Sequence, residues 1–324
     1  MKVLFLGTAE RLDPWYSDVL RRAEGRWNII LFDPARSVEE QFRGTSVVVD
    51  QGGGNGTRER IDAAISAGAQ LWQVLGTGVD HTDVAYFLQR QLPLANTPGQ
   101  FSASALAEHA LFLMLHFAKN FAESQTSVRS GVLCQPMNEE LEGKTLALLG
   151  VGASGQHLAR RAKAMGMRVV GIDICAVSDE RLRDMGISFF GGLECLERVL
   201  GEADYLSLHV PLTASTRHLV NCRTLSKMKP SSVLINVARG GIVDENALHS
   251  ALVEKRLRGA GLDVFAAEPV DPSHPLLQLR NVVATPHNAG VTFETSRRRA
   301  EAVVTNIQRI SEGLSPLYQI TSVE

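Results

Sequence analysis

Cysteine is scarce in this chain, and the few thiols are not paired. The 324 residues contain 4 cysteines. No two of them form a CxxC pair, and they stand far apart as Cys134, Cys175, Cys195 and Cys222. Disulfide frameworks and structural zinc sites need closely spaced thiols, so both are disfavoured. The sequence predicts reduced thiols in a cytoplasmic protein, with no metal site.

An excess of positive charge is also lacking. Lysine and arginine number 33 against 35 aspartates and glutamates, which leaves a formal net charge of −2. Proteins that bind nucleic acid or an anionic membrane surface concentrate basic residues on one face. We therefore expect neither nucleic acid nor a membrane surface as a partner.

No hydrophobic run is long enough to span a bilayer. The most apolar stretch, ALAEHALFLMLHFAKN, contains Glu108, His109 and His116 and is shorter than the roughly 20 residues that a spanning helix needs. The N-terminus reaches Glu10 and Asp13 before the apolar core of a signal peptide could be completed. We expect the first residues to form a strand of a globular domain.

Short runs of Val, Ile and Leu alternate with helical patterns along the chain. The candidate strands are Val3–Leu6, Ile29–Phe32, Val47–Val49, Leu71–Leu75, Thr145–Leu149, Arg168–Ile172, Tyr205–Val210, Val233–Val237, Gly261–Phe265 and Val282–Ala284. Continuous apolar strands with helices between them are typical of parallel sheets covered on both faces. The sequence predicts an α/β protein with doubly wound parallel sheets.

A glycine-rich turn lies in the middle of the chain, so about the first hundred residues form a separate unit. The segment 101–119 is apolar nearly all round, which predicts a helix buried on several sides, between domains or between subunits. The last predicted helix, 293–313, is amphipathic, and we expect it to return to the first unit.

The turn is Gly150-Val-Gly152-Ala-Ser-Gly155, between a strand and a helix. In this pattern the first glycine permits a tight turn, the second admits a pyrophosphate, and the third allows close helix–strand packing. Asp173 ends the next strand, where its carboxylate would accept the ribose hydroxyls and repel a 2′-phosphate. The order of strand, turn, helix and acid favours a dinucleotide site over a turn that binds no ligand. The charge of Asp173 favours NAD over NADP.

Three polar residues follow strands in the second half of the chain. Arg239 offers a bidentate fork to a carboxylate or carbonyl oxygen. His287 can exchange a proton near neutral pH, and a carboxylate such as Glu268 favours its protonated form and fixes its orientation. Each alone is most simply a surface residue, but together, behind a dinucleotide turn, they predict acid/base chemistry on an anionic substrate. His109 and His116 are interpreted as helix-packing residues.

Seven motifs carry a resemblance to a known family: GTGVDHTDV, NTPGQFSASALAEHALFLML, GVGASGQHLA, LHVPLTASTRHLV, INVARGGIVDENAL, GLDVFAAEP and TPHNAG. Over nearly its whole length the chain resembles the D-isomer-specific 2-hydroxyacid dehydrogenases. The resemblance implies a Rossmann-type NAD-binding domain, 99–289, inserted into a flavodoxin-like substrate domain, 1–98 and 290–324. It also implies a cleft between the two domains and a homodimer that uses the helix near 101–121.

The resemblance assigns roles as well. Arg239 would bind the 2-oxo acid, His287 would be the acid/base, and Glu268 its partner. The backbone of Gly76, Thr77 and Gly78 would hold the substrate carboxylate, and Arg239 and His287 complete the substrate-binding positions. The implied cofactor-binding positions are Gly150, Gly152, Ser154, Gly155, Gln156, Asp173, Val210, Pro211, Thr216, Val237, Ala238, Arg239, Asp263, His287 and Ala289. We therefore expect NAD-dependent interconversion of a small 2-oxo acid and its D-2-hydroxy acid.

The chain departs from the family pattern at two places. Ala153 stands where many relatives carry an arginine, and Ser154 where an apolar residue is common, which suggests weaker cofactor binding. The loop DQGGGNG carries no cation, and Arg58 is the nearest candidate to hold a phosphorylated substrate.

Two alternatives remain: a dinucleotide-sensing, corepressor-like binding protein, and a dehydrogenase of another anion, such as phosphite or a phosphorylated acid of the phosphoglycerate type.

Overall fold

The computed structural model describes residues 1–7 and 12–322, so Glu10 lies outside the described residues. The chain forms two compact units, Met1–Phe101 with Val291–Glu324, and Ser102–Gly290. Each unit is built on one parallel β-sheet with helices in its crossover connections.

The first unit contains a sheet of five parallel strands in the order β2-β1-β3-β4-β5. The strands are β1 (Lys2–Leu6), β2 (Asn28–Leu31), β3 (Thr45–Asp50), β4 (Leu71–Val74) and β5 (Leu94–Ala95). This strand order is that of the flavodoxin-like doubly wound fold.

Helices cover both faces of this sheet. They are α1 (Trp15–Ala23), α2 (Val38–Phe42), α3 (Arg58–Ser66), α4 (Val84–Gln89) and α12 (Phe293–Ser311). Alternate residues of β1 point to opposite faces, so Val3 and Phe5 pack with α1 and α12 while Leu4 and Leu6 join the core under α3 and α4. The last helix packs against α1, which confirms that it returns to the first unit.

The second unit contains a sheet of seven parallel strands in the order β12-β11-β10-β9-β6-β7-β8. The strands are β6 (Thr145–Leu149), β7 (Arg168–Ile172), β8 (Ile187–Gly191), β9 (Tyr205–Leu208), β10 (Val233–Asn236), β11 (Gly259–Leu262) and β12 (Val282–Ala284). If β6 is numbered as the first strand, this is the Rossmann order with one additional strand, β12. From β6 the chain adds β7 and β8 on one side and then β9 to β12 on the other, so the order reverses between β6 and β9. The predicted fold class is confirmed.

The helices of the second unit are α5 (Ala103–Ala118), α6 (Phe121–Arg129), α7 (Ala153–Ala164), α8 (Asp179–Met185), α9 (Leu196–Glu202), α10 (Cys222–Leu225) and α11 (Glu245–Val253). Helix α5 packs against α7, β10 and β11. Gly259 and Gly261 make this possible, because a Cβ there would lie 2.5 Å from the Phe117 ring and 3.1 Å from Leu113 Cβ, respectively. The residues of α5 that face α7 and the sheet are buried, whereas Glu108 and Phe112 are exposed, so the helix is buried on fewer sides than expected. No helix among the described residues is long and apolar enough to cross a membrane.

The prediction missed two strands and displaced one, and the ends of the other strands differ by at most two residues. Leu94–Ala95 and Ile187–Gly191 are strands that the prediction missed; the first has only two residues, and the second is only partly buried. The strand predicted at Gly261–Phe265 runs instead from Gly259 to Leu262, because its glycine-rich start lacks the β-branched pattern. Asp263 therefore lies just beyond the carboxyl end of the strand.

Candidate active site

The glycine turn between β6 and α7 is forced by close backbone contacts. Gly150 has φ +98°, and a Cβ there would lie 2.6 Å from the His209 carbonyl oxygen and 2.9 Å from Val210 Cγ1. A Cβ at Gly155 would lie 2.2 Å from the Gly150 carbonyl oxygen. These two glycines are thus required by packing inside the protein itself, as the pattern predicts.

Gly152 is different, because a Cβ there would meet nothing within 4 Å. Helix α7 begins directly after it, and among the described residues the N–H groups of Gly152, Ala153 and Ser154 have no acceptor. Unpaired N–H groups at a helix start carry partial positive charge and bind anions. The N–H groups at the start of α7 therefore fit the pyrophosphate of a dinucleotide. The space beside Gly152 is open, and packing within the protein does not require a glycine there.

Asp173 lies beside this turn, immediately after β7. Its Oδ2 accepts the N–H of Val151 at 2.7 Å, and its Oδ1 accepts the N–H of Cys175 at 2.9 Å. Each carboxylate oxygen can accept more than one hydrogen bond, so both remain able to bind ribose hydroxyls. Asp173 thus holds the backbone of the turn in place and puts a carboxylate beside it.

The other predicted cofactor positions near the turn are held by local hydrogen bonds. Gln156 donates its side-chain amide to the Val151 carbonyl at 2.9 Å. After β9, the hydroxyl of Thr216 donates to the Pro211 carbonyl at 2.6 Å, which closes the loop that follows Val210. These contacts shape the rim of the turn from two sides.

Arg239 follows β10, and a buried asparagine positions it. The strand ends at Asn236, whose side chain accepts the N–H of Ala238 at 3.1 Å and donates to the Arg239 carbonyl at 3.0 Å. Val237 and Ala238 are buried, and the Arg239 guanidinium donates to the Ala238 carbonyl at 2.8 Å. Arg239 is therefore not in the strand; it is the residue that leads into the 3₁₀ turn Gly240–Ile242.

Gly240 brings the loop after β10 against the loop after β11. A Cβ at this position would lie 1.9 Å from the Phe265 carbonyl carbon and 2.3 Å from the Ala266 nitrogen. No side chain can occupy that space, so only glycine allows the two backbones to touch. The contact places Arg239 next to the loop that carries Glu268.

Glu268 and His287 form a direct pair. One oxygen of Glu268 accepts the N–H of Phe265 at 2.9 Å, and the other lies 2.6 Å from His287 Nδ1. Burial raises the pKa of Glu268, but the hydrogen bonds from His287 and Phe265 and the charges of His287 and Arg239 outweigh it, so that the pKa lies below its ordinary value. Glu268 is therefore an anion at neutral pH, and the Arg239 charge is close enough to contribute.

The His287 loop is organised by Asp263, which is 1% exposed. The Asp263 carboxylate accepts the Thr285 hydroxyl at 2.6 Å and the N–H groups of Asn288 and Ala289, each at 2.9 Å. Its carbonyl accepts the His287 N–H at 2.8 Å. These bonds hold His287 in the left-handed backbone conformation, with φ 52°.

His109 belongs to the same network, although it was interpreted from the sequence as a packing residue. Its Nε2 lies 2.9 Å from Thr285 Oγ1 and 3.7 Å from Asp263 Oδ1. Burial lowers the pKa of His109, and the Asp263 charge opposes this shift. The interpretation as a packing residue missed these polar contacts, which the sequence does not reveal because Asp263 and Thr285 are distant in the chain.

In the first unit, the loop Gly76-Thr77-Gly78 follows β4. The carbonyl of Gly76 accepts the N–H of Thr97, and that of Thr77 accepts the Asn96 side chain at 2.7 Å. Within the described ranges, the N–H groups of the three loop residues have no acceptor. A loop in which two carbonyls are paired while the N–H groups are free suits an anion.

Comparison with known proteins identifies the family. Residues 111–289 match the family described as D-isomer specific 2-hydroxyacid dehydrogenase, NAD binding domain. A glyoxylate reductase of Korarchaeum cryptofilum is 37% identical over 79% of this chain and 78% of its own. A hydroxypyruvate reductase of Thermotoga maritima is 40% identical over 69% and 71%. A D-lactate dehydrogenase of Aquifex aeolicus, solved with NAD and lactic acid, matches 96% of both chains with a TM-score of 0.80 and 26% identity.

The chain belongs to the D-isomer-specific 2-hydroxyacid dehydrogenase family. Membership confirms the predicted enzyme class, an NAD-dependent dehydrogenase that interconverts 2-oxo acids and D-2-hydroxy acids. In this dehydrogenase, Arg239, Glu268 and His287 lie at the carboxyl ends of β10, β11 and β12, which are neighbours in the sheet. Ligands of doubly wound sheets bind at this edge.

Substituting Gly240 tests the contact between the two loops. We expect Gly240→Ala to lower the free energy of unfolding by about 1–3 kcal/mol through overpacking and to reduce kcat/KM by moving Arg239. Chemical denaturation and steady-state kinetics measure both effects.

Gly201→Ala in α9 is the matched control, since its Cβ would lie 3.8 Å from the Lys227 carbonyl oxygen, an ordinary contact. Unchanged stability and activity in Gly240→Ala would show that the loops do not touch as described.

Proposed function

We propose that this dehydrogenase reduces a small 2-oxo acid to the D-2-hydroxy acid with NADH, and catalyses the reverse reaction, through Arg239, Glu268 and His287. The observation that supports these residue roles is the 2.6 Å contact between His287 Nδ1 and Glu268 at the strand ends where Arg239 also lies. A surface histidine would not require a carboxylate partner or a buried network behind it.

The residues that would hold the cofactor are those of the glycine turn, Asp173, and the loops after β9 and β10. When bound, the nicotinamide ring supplies or accepts the hydride. The free N–H groups at the start of α7 would bind the pyrophosphate, and Asp173 would bind the adenosine ribose. The contacts proposed for Val237, Ala238, Asp263 and Ala289 remain predictions.

His287 is the proposed acid/base. Because its Nδ1 faces Glu268, Nε2 is the nitrogen left to give a proton to the substrate oxygen during reduction and to take it back during oxidation. The Glu268 anion orients the ring and stabilises the imidazolium. Arg239 would bind the carboxylate and polarise the carbonyl, which places positive charge where negative charge develops.

The substrate is proposed to be a small, unphosphorylated acid whose carboxylate is held by the N–H groups of Gly76, Thr77 and Gly78. The cation considered for a phosphate, Arg58, is engaged by Asp83, with Nη2 at 2.9 Å and Nε at 3.1 Å from Oδ2. Its guanidinium also lies over the Tyr86 ring. The relatives include both glyoxylate or hydroxypyruvate reductases and D-3-phosphoglycerate dehydrogenases, so the choice rests on the pairing of Arg58.

A dinucleotide-sensing binding protein is the alternative of a different class. It would need the glycine turn but not the paired His287 and Glu268, so the pair favours the enzyme. Oxidation of NADH and NADPH with glyoxylate, hydroxypyruvate, pyruvate, phenylpyruvate and 3-phosphohydroxypyruvate separates the two. Turnover with a small 2-oxo acid is the expected result, and dinucleotide binding without turnover on any of them would favour the sensor.

We also propose that the chain is a cytoplasmic homodimer. Large apolar side chains are exposed on α5, on α6 and in the segment after it, including Phe112, Phe121, Val128, Leu133 and Met137. A surface of this kind suits a second copy of the chain. The four cysteines are unpaired in the structure, as in a reducing compartment.

Removing the imidazole tests its role as acid/base. We expect His287→Ala to reduce kcat by roughly a hundredfold to ten-thousandfold, with the Kd for NADH nearly unchanged. Stopped-flow turnover and NADH fluorescence titration measure the two quantities. His249→Ala on α11 is the control, and loss of NADH binding with normal turnover per bound enzyme would contradict the assignment.

Neutralising the carboxylate tests the pairing through pH. Because the pKa of Glu268 is lowered, its charge is present throughout the neutral range and stabilises protonated His287. By linkage, the His287 charge that lowers the Glu268 pKa is itself stabilised by Glu268, so in Glu268→Gln the alkaline limb of kcat/KM for reduction should move to lower pH.

The acid limb of the oxidation reaction should move in the same direction. Exposed Glu254→Gln, which removes a charge paired with Arg256, should leave both profiles in place. Superimposable profiles for Glu268→Gln and the wild type would refute the coupling.

Cofactor choice depends on the charge of Asp173. Asn at this position keeps an acceptor for the Val151 N–H but loses the repulsion of a 2′-phosphate, so Asp173→Asn should lower the NADH:NADPH ratio of kcat/KM by roughly tenfold or more. Steady-state kinetics with both cofactors measure the ratio. Asp184→Asn on α8 is the control, and an unchanged ratio in Asp173→Asn would assign the preference elsewhere.

A further inference from the structure

His209 lies at the point where the strand order of the larger sheet reverses. It follows β9, and its N–H continues the pairing to β6 by donating to the Leu149 carbonyl at 2.7 Å. Its own carbonyl is the group that Gly150 must avoid. The first residue after β9 therefore packs directly against the dinucleotide turn.

The His209 ring joins two serine hydroxyls. Its Nδ1 lies 2.9 Å from Ser154 Oγ, on the first turn of α7, and its Nε2 lies 2.9 Å from Ser207 Oγ in β9. Ser207 is fully buried, and among the described residues its hydroxyl has no other partner. Burial lowers the pKa of His209 to about 4, so the ring is neutral at physiological pH and carries one proton.

The position of that proton follows from hydrogen-bond satisfaction. If Nε2 carried it, Nε2–H would donate to Ser207, and the buried Ser207 proton would have no acceptor. If Nδ1 carries it, Ser207 donates to Nε2 and Nδ1–H donates to Ser154 Oγ. The second arrangement leaves no buried donor unsatisfied, and unsatisfied buried donors are costly. It also leaves the Ser154 proton free, at the helix start where N–H groups lack acceptors.

We propose that His209 is a positioning residue for the cofactor: with Ser207 it holds the Ser154 hydroxyl as an outward-facing donor to a phosphate oxygen of the dinucleotide. The Ser154 hydroxyl thereby adds one side-chain hydrogen bond to those that the backbone N–H groups of the turn offer the phosphate. Because this chain has Ala153 in the turn, no arginine or lysine side chain is present at that position to reach the phosphate. The Ser154 hydroxyl supplies a hydrogen bond to it instead. The proposal rests on the proposed function insofar as its ligand is the dinucleotide.

The tautomer provides a test that needs no cofactor. ¹⁵N–¹H correlation spectra of the ring nitrogens of the full-length protein, assigned with His209→Gln, should show His209 protonated at Nδ1 and unprotonated at Nε2. Protonation at Nε2 would overturn the proposal, because Ser154 would then have to donate to the ring.

A double-mutant cycle tests the consequence for binding. We expect Ser154→Ala to raise the Kd for NADH and for ADP-ribose roughly tenfold, as for one hydrogen bond to a charged group, and to leave adenosine binding unchanged. Ser207→Ala should raise the same two Kd values by a smaller factor, because the ring loses the hydroxyl that donates to Nε2 and no longer holds Ser154 as firmly. In the Ser154→Ala background, Ser207→Ala should change them by less than about twofold.

Equal effects of Ser207→Ala in both backgrounds would show a merely structural role and overturn the proposal. Ser232→Ala is the matched control: Ser232 is a fully buried serine at the opposite end of the sheet, and its hydroxyl donates to the Ala203 carbonyl at 2.8 Å. Its loss should leave all three Kd values unchanged. A wild-type protein that binds no NADH would refute the proposed function, whereas the Nε2 tautomer would refute only the role of His209.

Discussion

The catalytic end of the larger sheet depends on one buried carboxylate. Asp263 stands just after β11 and reaches both neighbouring strands: its N–H donates to the Asn236 carbonyl at the end of β10, and its carboxylate and carbonyl hold the loop after β12. A buried anion is tolerated only when hydrogen bonds replace its hydration. The loop that carries His287 supplies these bonds, so Asp263 and the loop conformation stabilise each other.

The same sheet separates the residues proposed to bind the cofactor from those proposed to transfer a proton. The glycine turn and His209 lie at the carboxyl ends of β6 and β9, where the strand order reverses, whereas Arg239, Glu268 and His287 follow β10, β11 and β12. Parallel strands place all these ends on one edge. In both places a partly buried histidine lies behind the residue proposed to touch a ligand: His209 behind Ser154, and His109 behind the His287 loop.

Sequence patterns predicted the framework well, since apolar strands alternating with helices have few packing solutions. They also identified Gly150 and Gly155, whose backbones leave no room for a side chain. They did less well with histidines: His109 was interpreted only as a packing residue, and His209 was not singled out. Their partners, Thr285 and Ser154, are distant in sequence, so only folding shows the contacts.

The sequence by itself determined the family, the two parallel sheets and the types of residue available for chemistry, because these follow from local patterns and from motifs that are contiguous in the chain. Tertiary structure decided which of those residues meet. Three contacts depend on distances between separate parts of the chain: His287 with Glu268 at 2.6 Å, Gly240 with Phe265, and His209 with Ser154 at 2.9 Å. Such distances are set by the register and packing of whole strands, which no short segment encodes.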